Sequence, residues 1–309
     1  MDIAFIEPLG RAWNRMKVGL FKPFDLSKWF VIGFNAFLAG MMEGHRGSGS
    51  SRWSDDLSFR EFLRLPDRAW QWLIGHPGWF IAIVFGGLFL IIILLILLWL
   101  SSRGKFMFLD NVVLNKAEIV SPWKLYKRES NSLFLWRLGF AVVIITIFIA
   151  LAVFFFFTAN SLSRESRSAP ILFAVGIGLL AVLIFIVIGY ISLFLDHFVV
   201  PLMYKNNITA TQAWGRFLKL FGQRPLHFLF YGVLLFVFIV LFVITVIIAG
   251  LLTCCIGWLL LAIPYIGTVV TLPAWYTFRA FSLEFLAQFG PEFDLFPSPT
   301  EVSSTETPA

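Results

Sequence analysis

The sequence predicts an all-α, polytopic membrane protein of about six transmembrane helices joined by amphipathic cytoplasmic elbow helices. Three observations predict it. The 309 residues are 59% hydrophobic and only 14% charged, against roughly a quarter charged in soluble domains. Several unbroken apolar runs exceed the roughly 18 residues that mark a bilayer span. A short string, Phe108-Leu109-Asp110, also recurs as Phe194-Leu195-Asp196, each copy at or just past the end of a long apolar run. Runs this long do not suit barrel strands, and a backbone in lipid must satisfy its own hydrogen bonds, so the spans are helices.

Taken in order, residues 1–25 are an amphipathic basic segment. Ile6, Leu9, Trp13, Met16 and Leu20 step by three and four along one helical face, with Arg11, Asn14, Arg15 and Lys17 elsewhere. Such a helix lies on the inner leaflet with its cations at anionic headgroups, or packs the same apolar face on the protein's own helices. Residues 26–290 form the membrane domain, with spans at about 26–42, 79–100, 138–158, 171–195, 228–249 and 256–277. The first is at the short end of the spanning range. The last two come from one block too long for a single crossing, folded at a hairpin around Thr253, Cys254 and Cys255. Adjacent cysteines exclude a disulfide framework and read as small apolar residues. Pro264 and Pro273 fall in the sixth span, where membrane helices tolerate proline.

The outside loop, 43–78, opens with Gly47-Ser48-Gly49-Ser50-Ser51 and turns aromatic at Trp53, Phe59, Phe62, Trp70 and Trp72. Asp67 caps a short helix stopped by Gly75 and Pro77, and tryptophans at this density beside a span suggest an interfacial anchor. The tail, 291–309, is acidic and rich in proline, serine and threonine, the composition of a disordered segment.

The doubled string carries a wider pattern. After each aspartate come a valine pair (Val112-Val113, Val199-Val200), an isoleucine, a tryptophan (Trp123, Trp214) and another apolar run. This reads as span, polar elbow and returning span written twice, a parallel repeat about an axis normal to the membrane. The two aspartate-to-tryptophan intervals differ by five residues, which weighs against it. In the second elbow Ala210, Ala213, Trp214, Phe217, Leu218 and Phe221 share a face, with Arg216 and Lys219 off it. The first sets Lys124, Lys127 and Arg128 beside Val120, Trp123 and Leu125. With both termini cytoplasmic, no lysine falls outside, as the positive-inside rule favours in a cytoplasmic (inner) membrane.

Chemistry is harder to find. The centres of the spans are almost free of ionisable residues, which counts against a proton-coupled pump. His45, His76, His197 and His227 show no metal-ligand spacing, and no nucleophile elbow, phosphate loop or dinucleotide fingerprint is present. The reading therefore names no catalytic, cofactor-binding or metal residue and expects a protein that is not an enzyme. Asp110, Asp196 and His197 are candidate polar elbow residues; the two aspartates neutralise nearby cations or cap the helices that follow them, or else frame a polar mouth between the two halves. Arg11, Arg15, Lys17, Lys124, Lys127, Arg128, Arg216 and Lys219 are candidate contacts for anionic phospholipid headgroups. The expected partners are the bilayer and other proteins, not nucleic acid.

The segment Ile263-Pro264-Tyr265-Ile266-Gly267-Thr268, continuing through Arg279-Ala280-Phe281-Ser282-Leu283-Glu284 to Pro291, resembles the C-terminal signature of a family of uncharacterised prokaryotic multi-pass membrane proteins. Phe21-Lys22-Pro23-Phe24-Asp25-Leu26 resembles that family's opening and Arg103-Gly104-Lys105-Phe106-Met107-Phe108 its central element. More distantly, the chain is similar to the membrane domain fused to some glycerophosphodiester phosphodiesterases. The resemblance implies a six-span helical fold in a prokaryotic cytoplasmic membrane. It carries over no catalytic residue, because the phosphodiesterase residues belong to a separate domain. The reading is a non-enzymatic lipid- or protein-interacting membrane component, with a transporter or permease for a small or amphiphilic substrate as the alternative.

Topology reporters test the orientation. Fusions near Ser50 and Ser166 should report outside, and fusions near Asn115, Asn207 and Thr305 inside; the opposite pattern would overturn the six-span arrangement.

Overall fold

Helix follows helix through the computed structural model, which describes residues 3–43, 65–165, 169–253 and 256–296; no strand occurs among them. The elements are α1 (Ile6–Phe21), α2 (Leu26–Gly40), α3 (Leu65–Gly75), α4 (Pro77–Leu114), α5 (Val120–Leu125), α6 (Lys127–Glu165) and α7 (Ala169–Phe194). A π turn (Leu195–Val199) leads into α8 (Val200–Asn206), followed by α9 (Ala210–Gln223), α10 (Pro225–Leu252), α11 (Ile256–Ala262), α12 (Pro264–Val270) and α13 (Leu272–Ala287).

Among the described residues, four helical stretches are long and apolar enough to cross a membrane: Pro77–Leu114, Lys127–Ala159, Leu172–Asn206 and Pro225–Leu252. This is the architecture of a helical membrane protein, and these stretches contain four of the six expected spans. The other two are not single helices of spanning length. Helix α2 has 15 residues, roughly 22 Å at ~1.5 Å per residue, against a hydrocarbon core of roughly 30 Å. The sixth is split into α11, α12 and α13. Pro264 has no N–H to continue a helix and forces Ile263 before it out of helical geometry (φ −82°, ψ 111°). A second break falls at Thr271, just ahead of Pro273. Cys254 and Cys255 of the expected hairpin, the Gly47–Ser51 stretch with His45, Trp53, Phe59 and Phe62, and the tail from residue 297 lie outside the described residues.

Helix α4 shows how the long helices are used. Its 38 residues reach roughly 57 Å, nearly twice the hydrocarbon thickness. From Trp79 to Ile96 its large apolar side chains are exposed, whereas from Ser101 to Val113 every residue is buried, Arg103, Lys105, Asp110 and Asn111 included. The sequence changes character at the same place, because charged groups survive burial only where protein partners replace water.

The chain divides into two compact units. One comprises Gly47–Leu97 and Arg137–Gly189; its helices expose apolar side chains on all sides, and Phe155 stacks on Phe173 to join α6 to α7. The other comprises Met1–Arg46, Leu98–Trp136 and Tyr190–Ala309 and holds a conventional core. Phe198 is central to it, with ring centroids 4.9 Å from Tyr231, 5.0 Å from Phe228 and 5.5 Å from Phe217. Tyr231 in turn lies 4.7 Å from Phe285 and 5.1 Å from Phe281.

Helix α1 packs along α13 and thereby divides the face read from sequence. Met16 and Leu20 are buried with Ala12, while Ile6 and Trp13 remain exposed. Both elbows also begin later than the aspartates suggest. Helix α4 runs through Asp110 and ends at Asn115 in the left-handed region (φ 53°), and the second helix runs through Asp196 and ends at Asn207 (φ 50°). Asparagine tolerates that conformation, which turns the chain out of a helix. The second elbow helix, α9, opens with a reciprocal capping box between Thr209 and Gln212.

The crossing of α2 and α4 depends on Gly104. A Cβ there would lie 2.6 Å from the Leu38 carbonyl carbon, on backbone that cannot swing aside. Gly104→Ala should therefore cost about 1–3 kcal/mol in unfolding measurements, while Gly86→Ala on the same helix, with nothing within 4 Å, should not destabilise the protein.

Candidate polar site

The inner half of α4 brings two cations into the folded interior, and their surroundings define the polar centre. Lys105, with a side chain 3% exposed, forms ion pairs with Glu43 beyond the end of α2 and with Asp196 in the π turn. Arg279, buried on α13, donates to the backbone carbonyl of Asp196. A π turn inserts one extra residue into the helical ladder and changes which carbonyls it satisfies, a geometry frequent at functional sites. His197, next along the turn, places Nδ1 2.8 Å from the Tyr231 hydroxyl. Lys105 and Arg279 thus meet Glu43 and Asp196, two cations against two carboxylates, so the cluster is formally neutral. Ions in this setting persist only as a set, because desolvation is offset by close partners of opposite sign.

Asp110 belongs to a second group. Its carboxylate accepts hydrogen bonds from the hydroxyls of Tyr126 (3.1 Å) and Tyr204 (2.9 Å), and the two rings lie 4.9 Å apart. This joins α4 to the residue after α5 and to α8. Burial pushes the Tyr126 phenol up to about 12, and the nearby Asp110 charge adds to the shift, so this hydroxyl stays a donor at neutral pH. The next residue, Asn111, donates to the Glu118 carbonyl (3.0 Å) and accepts from the Glu118 N–H (3.1 Å), while Asn35 donates to the same carbonyl (3.1 Å). These bonds fix the loop leading into α5.

Arg103 lies between Trp99 and Trp123, 4.6 Å from each ring centroid, and donates to the Trp123 carbonyl at 3.2 Å. Stacking of this kind suits the weakly hydrated, planar guanidinium. A further ion cluster holds α1 to α13. Buried Glu284 pairs with Arg11 at 3.0 Å and with Arg15, whose guanidinium also lies 3.5 Å over the Phe296 ring.

The sequence-predicted residues therefore separate. Asp110 and Asp196 take different partners, and His197, the residue after Asp196, bonds to the Tyr231 hydroxyl. Neither aspartate caps a following helix: the chain stays helical through both, and each bonds sideways. Of the eight candidate lipid contacts, Arg11 and Arg15 are engaged by Glu284. Lys17 reaches over the Trp13 ring at 5.6 Å, and Lys124, Lys127, Arg128, Arg216 and Lys219 lie exposed on the elbows. Sequence reasoning named Asp110 and Asp196 but none of their partners; Lys105, Glu43 and Arg279 surround Asp196, and Tyr126 and Tyr204 surround Asp110. The available signal was that no proline interrupts 98–114, so the helix carries Arg103, Lys105 and Asp110 onward into protein. Among the described residues no three His, Cys, Asp or Glu side chains converge as a metal site requires.

A family model for proteins of unknown function, DUF7544, matches residues 3–286. No curated protein and no solved structure matches the chain, and no finding supports the likeness to phosphodiesterase membrane domains.

Removing the shared cation should expose the dependence of the cluster on it. Lys105→Met leaves the Glu43 and Asp196 carboxylates without their common partner and should cost about 3 kcal/mol in detergent unfolding. Lys116→Met, at an exposed position, should stay within about 0.5 kcal/mol of the parent.

Proposed function

Because the chain belongs to this family of unknown function and inherits no activity from it, we propose a function from its own residues: a non-enzymatic component of a cytoplasmic membrane that holds anionic phospholipids, and partner proteins with them, at its elbows. One observation carries the reading. At the first elbow the apolar side chains of Val120 and Leu125 stand exposed beside Lys124, Lys127 and Arg128, next to an open groove lined by Glu118, Ile119, Val120, Ser121 and Lys124. Exposed aliphatic groups interleaved with cations suit the boundary between acyl chains and anionic headgroups. Each basic residue near such a surface contributes about 1 kcal/mol. Helix α9 repeats the arrangement, with exposed Leu218 between Arg216 and Lys219 while Phe217 and Leu220 pack inward. Both elbows and both termini are placed on the cytoplasmic side in this proposal.

A second reading, a transporter or permease-like protein for a small or amphiphilic substrate, draws on the Lys105–Asp196 cluster at a π turn and on the broken helical segment α11–α13. Ionisable clusters and interrupted helices mark many membrane transport paths.

Charge reversal distinguishes the two. The variant Lys124→Glu, Lys127→Glu, Arg128→Glu should retain at least tenfold less phosphatidylglycerol after purification, measured by lipid mass spectrometry. Unchanged retention, together with substrate flux in vesicles containing the parent protein, would favour the transporter reading.

A further inference from the structure

Helix α1 has three faces, and among the described residues two of them are engaged. Ala12, Met16 and Leu20 face the core, and Arg11 and Arg15 bind Glu284. The third face follows Ile6, Gly10, Trp13, Lys17 and Phe21, steps of four, three, four and four that keep one side of a helix. It is open: Ile6 is 82%, Trp13 47% and Phe21 46% exposed, and a Cβ at Gly10 would meet no atom within 4 Å. The stripe continues past the helix into Phe24, 57% exposed.

The end of this stripe is tied together by ring contacts. Phe21 and Phe24 form an isolated antiparallel bridge with their rings 6.4 Å apart. Trp29 meets both rings edge-on, at 5.4 and 5.8 Å, and donates from its indole N–H to the Leu20 carbonyl at 2.7 Å. Two aromatic side chains are therefore held against Trp29 while about half of each stays exposed. Lys17 and Lys22 flank them and, among the described residues, form no ion pair, while Asp25 caps α2 through the Ser27 N–H and Glu7 faces Arg11 at 3.6 Å. The stripe thus sets exposed aromatics beside two lysines.

We propose that this third face of α1, with the Phe21–Phe24 tip, is a built-in membrane-surface anchor that inserts at the headgroup level of an anionic bilayer. Tryptophan and phenylalanine suit the interfacial zone, and the two lysines complement anionic headgroups. The proposal rests on the lipid-binding reading but assigns it to a different surface and excludes Arg11 and Arg15 from it. It treats α1 as clamped to the protein on one side and dipped into lipid on another.

Depth measurement on the full chain tests this. In a Cys254→Ser, Cys255→Ser background, an NBD label at Ile6→Cys, Phe21→Cys or Phe24→Cys is compared with one at Glu292→Cys, an exposed position beyond α13. In nanodiscs of phosphatidylcholine with phosphatidylglycerol, the three stripe labels should be quenched at least twofold less by aqueous iodide than the label at Glu292. Lys17→Glu with Lys22→Glu should reduce that protection, and should do so less in phosphatidylcholine alone. Equal quenching at all four sites would overturn the proposal. So would protection confined to a dimeric fraction of the nanodisc sample separated by size, which would assign the stripe to a second copy of the chain. The Ile6 label, remote from the aromatic tip, keeps the test valid if substitution at Phe21 disturbs folding. Lipid retention untouched by the elbow reversals, with protection still present, would refute the elbow reading alone; the reverse pattern would refute only the anchor.

Discussion

Lys105 is a cation on a helix that has already left its lipid-compatible stretch, and it has only protein to replace its water. Glu43 and Asp196 provide that replacement from two other segments of the chain, and Arg279 secures the turn that carries Asp196. Four segments distant in sequence are thereby held together: the end of α2, the inner half of α4, the π turn and α13. Much of the surrounding apolar packing, from Gly104 against α2 to Tyr231 against Phe281, depends on the same register. A buried ion set of this kind contributes little net stability compared with apolar substitutes, yet losing one member is costly. Its main effect is to allow one arrangement of those segments and penalise the others.

The Asp110 and Glu284 groups apply the same logic elsewhere. Each places one carboxylate where two donors converge: two tyrosine hydroxyls at Asp110, two guanidinium groups at Glu284. The Glu284 clamp explains why α1 follows α13 rather than drifting as an independent amphipathic helix, and the Ala4–Gln288 pair reinforces it with hydrogen bonds in both directions (2.8 and 2.9 Å). With one face in the core and another in the clamp, the remaining aromatic stripe is left available to lipid.

Much of the fold was legible before any coordinates. Apolar run length located the four long helices, because a chain that cannot hydrogen-bond to solvent must form helices of about bilayer length. The elbows and their exposed cations were legible too, from positions three and four apart. The span at 256–277 was not, since local hydrophobicity is indifferent to where Pro264 breaks a helix. The elbow boundaries were misplaced for a related reason: Asp110 and Asp196 look like turn residues in isolation but are bonded sideways while the helix continues to Asn115 and Asn207.

Composition and periodicity by themselves determined that this is a helical membrane protein, where its long helices lie, and which basic residues face outward at the elbows. Those properties follow from transfer free energy and helical geometry, which act locally along the chain. Only the tertiary structure decided that Lys105 belongs with Glu43 and Asp196, that Asp110 belongs with two tyrosines, and that Arg11 and Arg15 are bound to Glu284. Partnerships between charges 62, 91 and 269 residues apart depend on close approach in space, for which a single sequence carries no periodic signal. The same holds for the two faces of α1: one hydrophobic pattern became part core and part exposed stripe because α13 covers only one side of it.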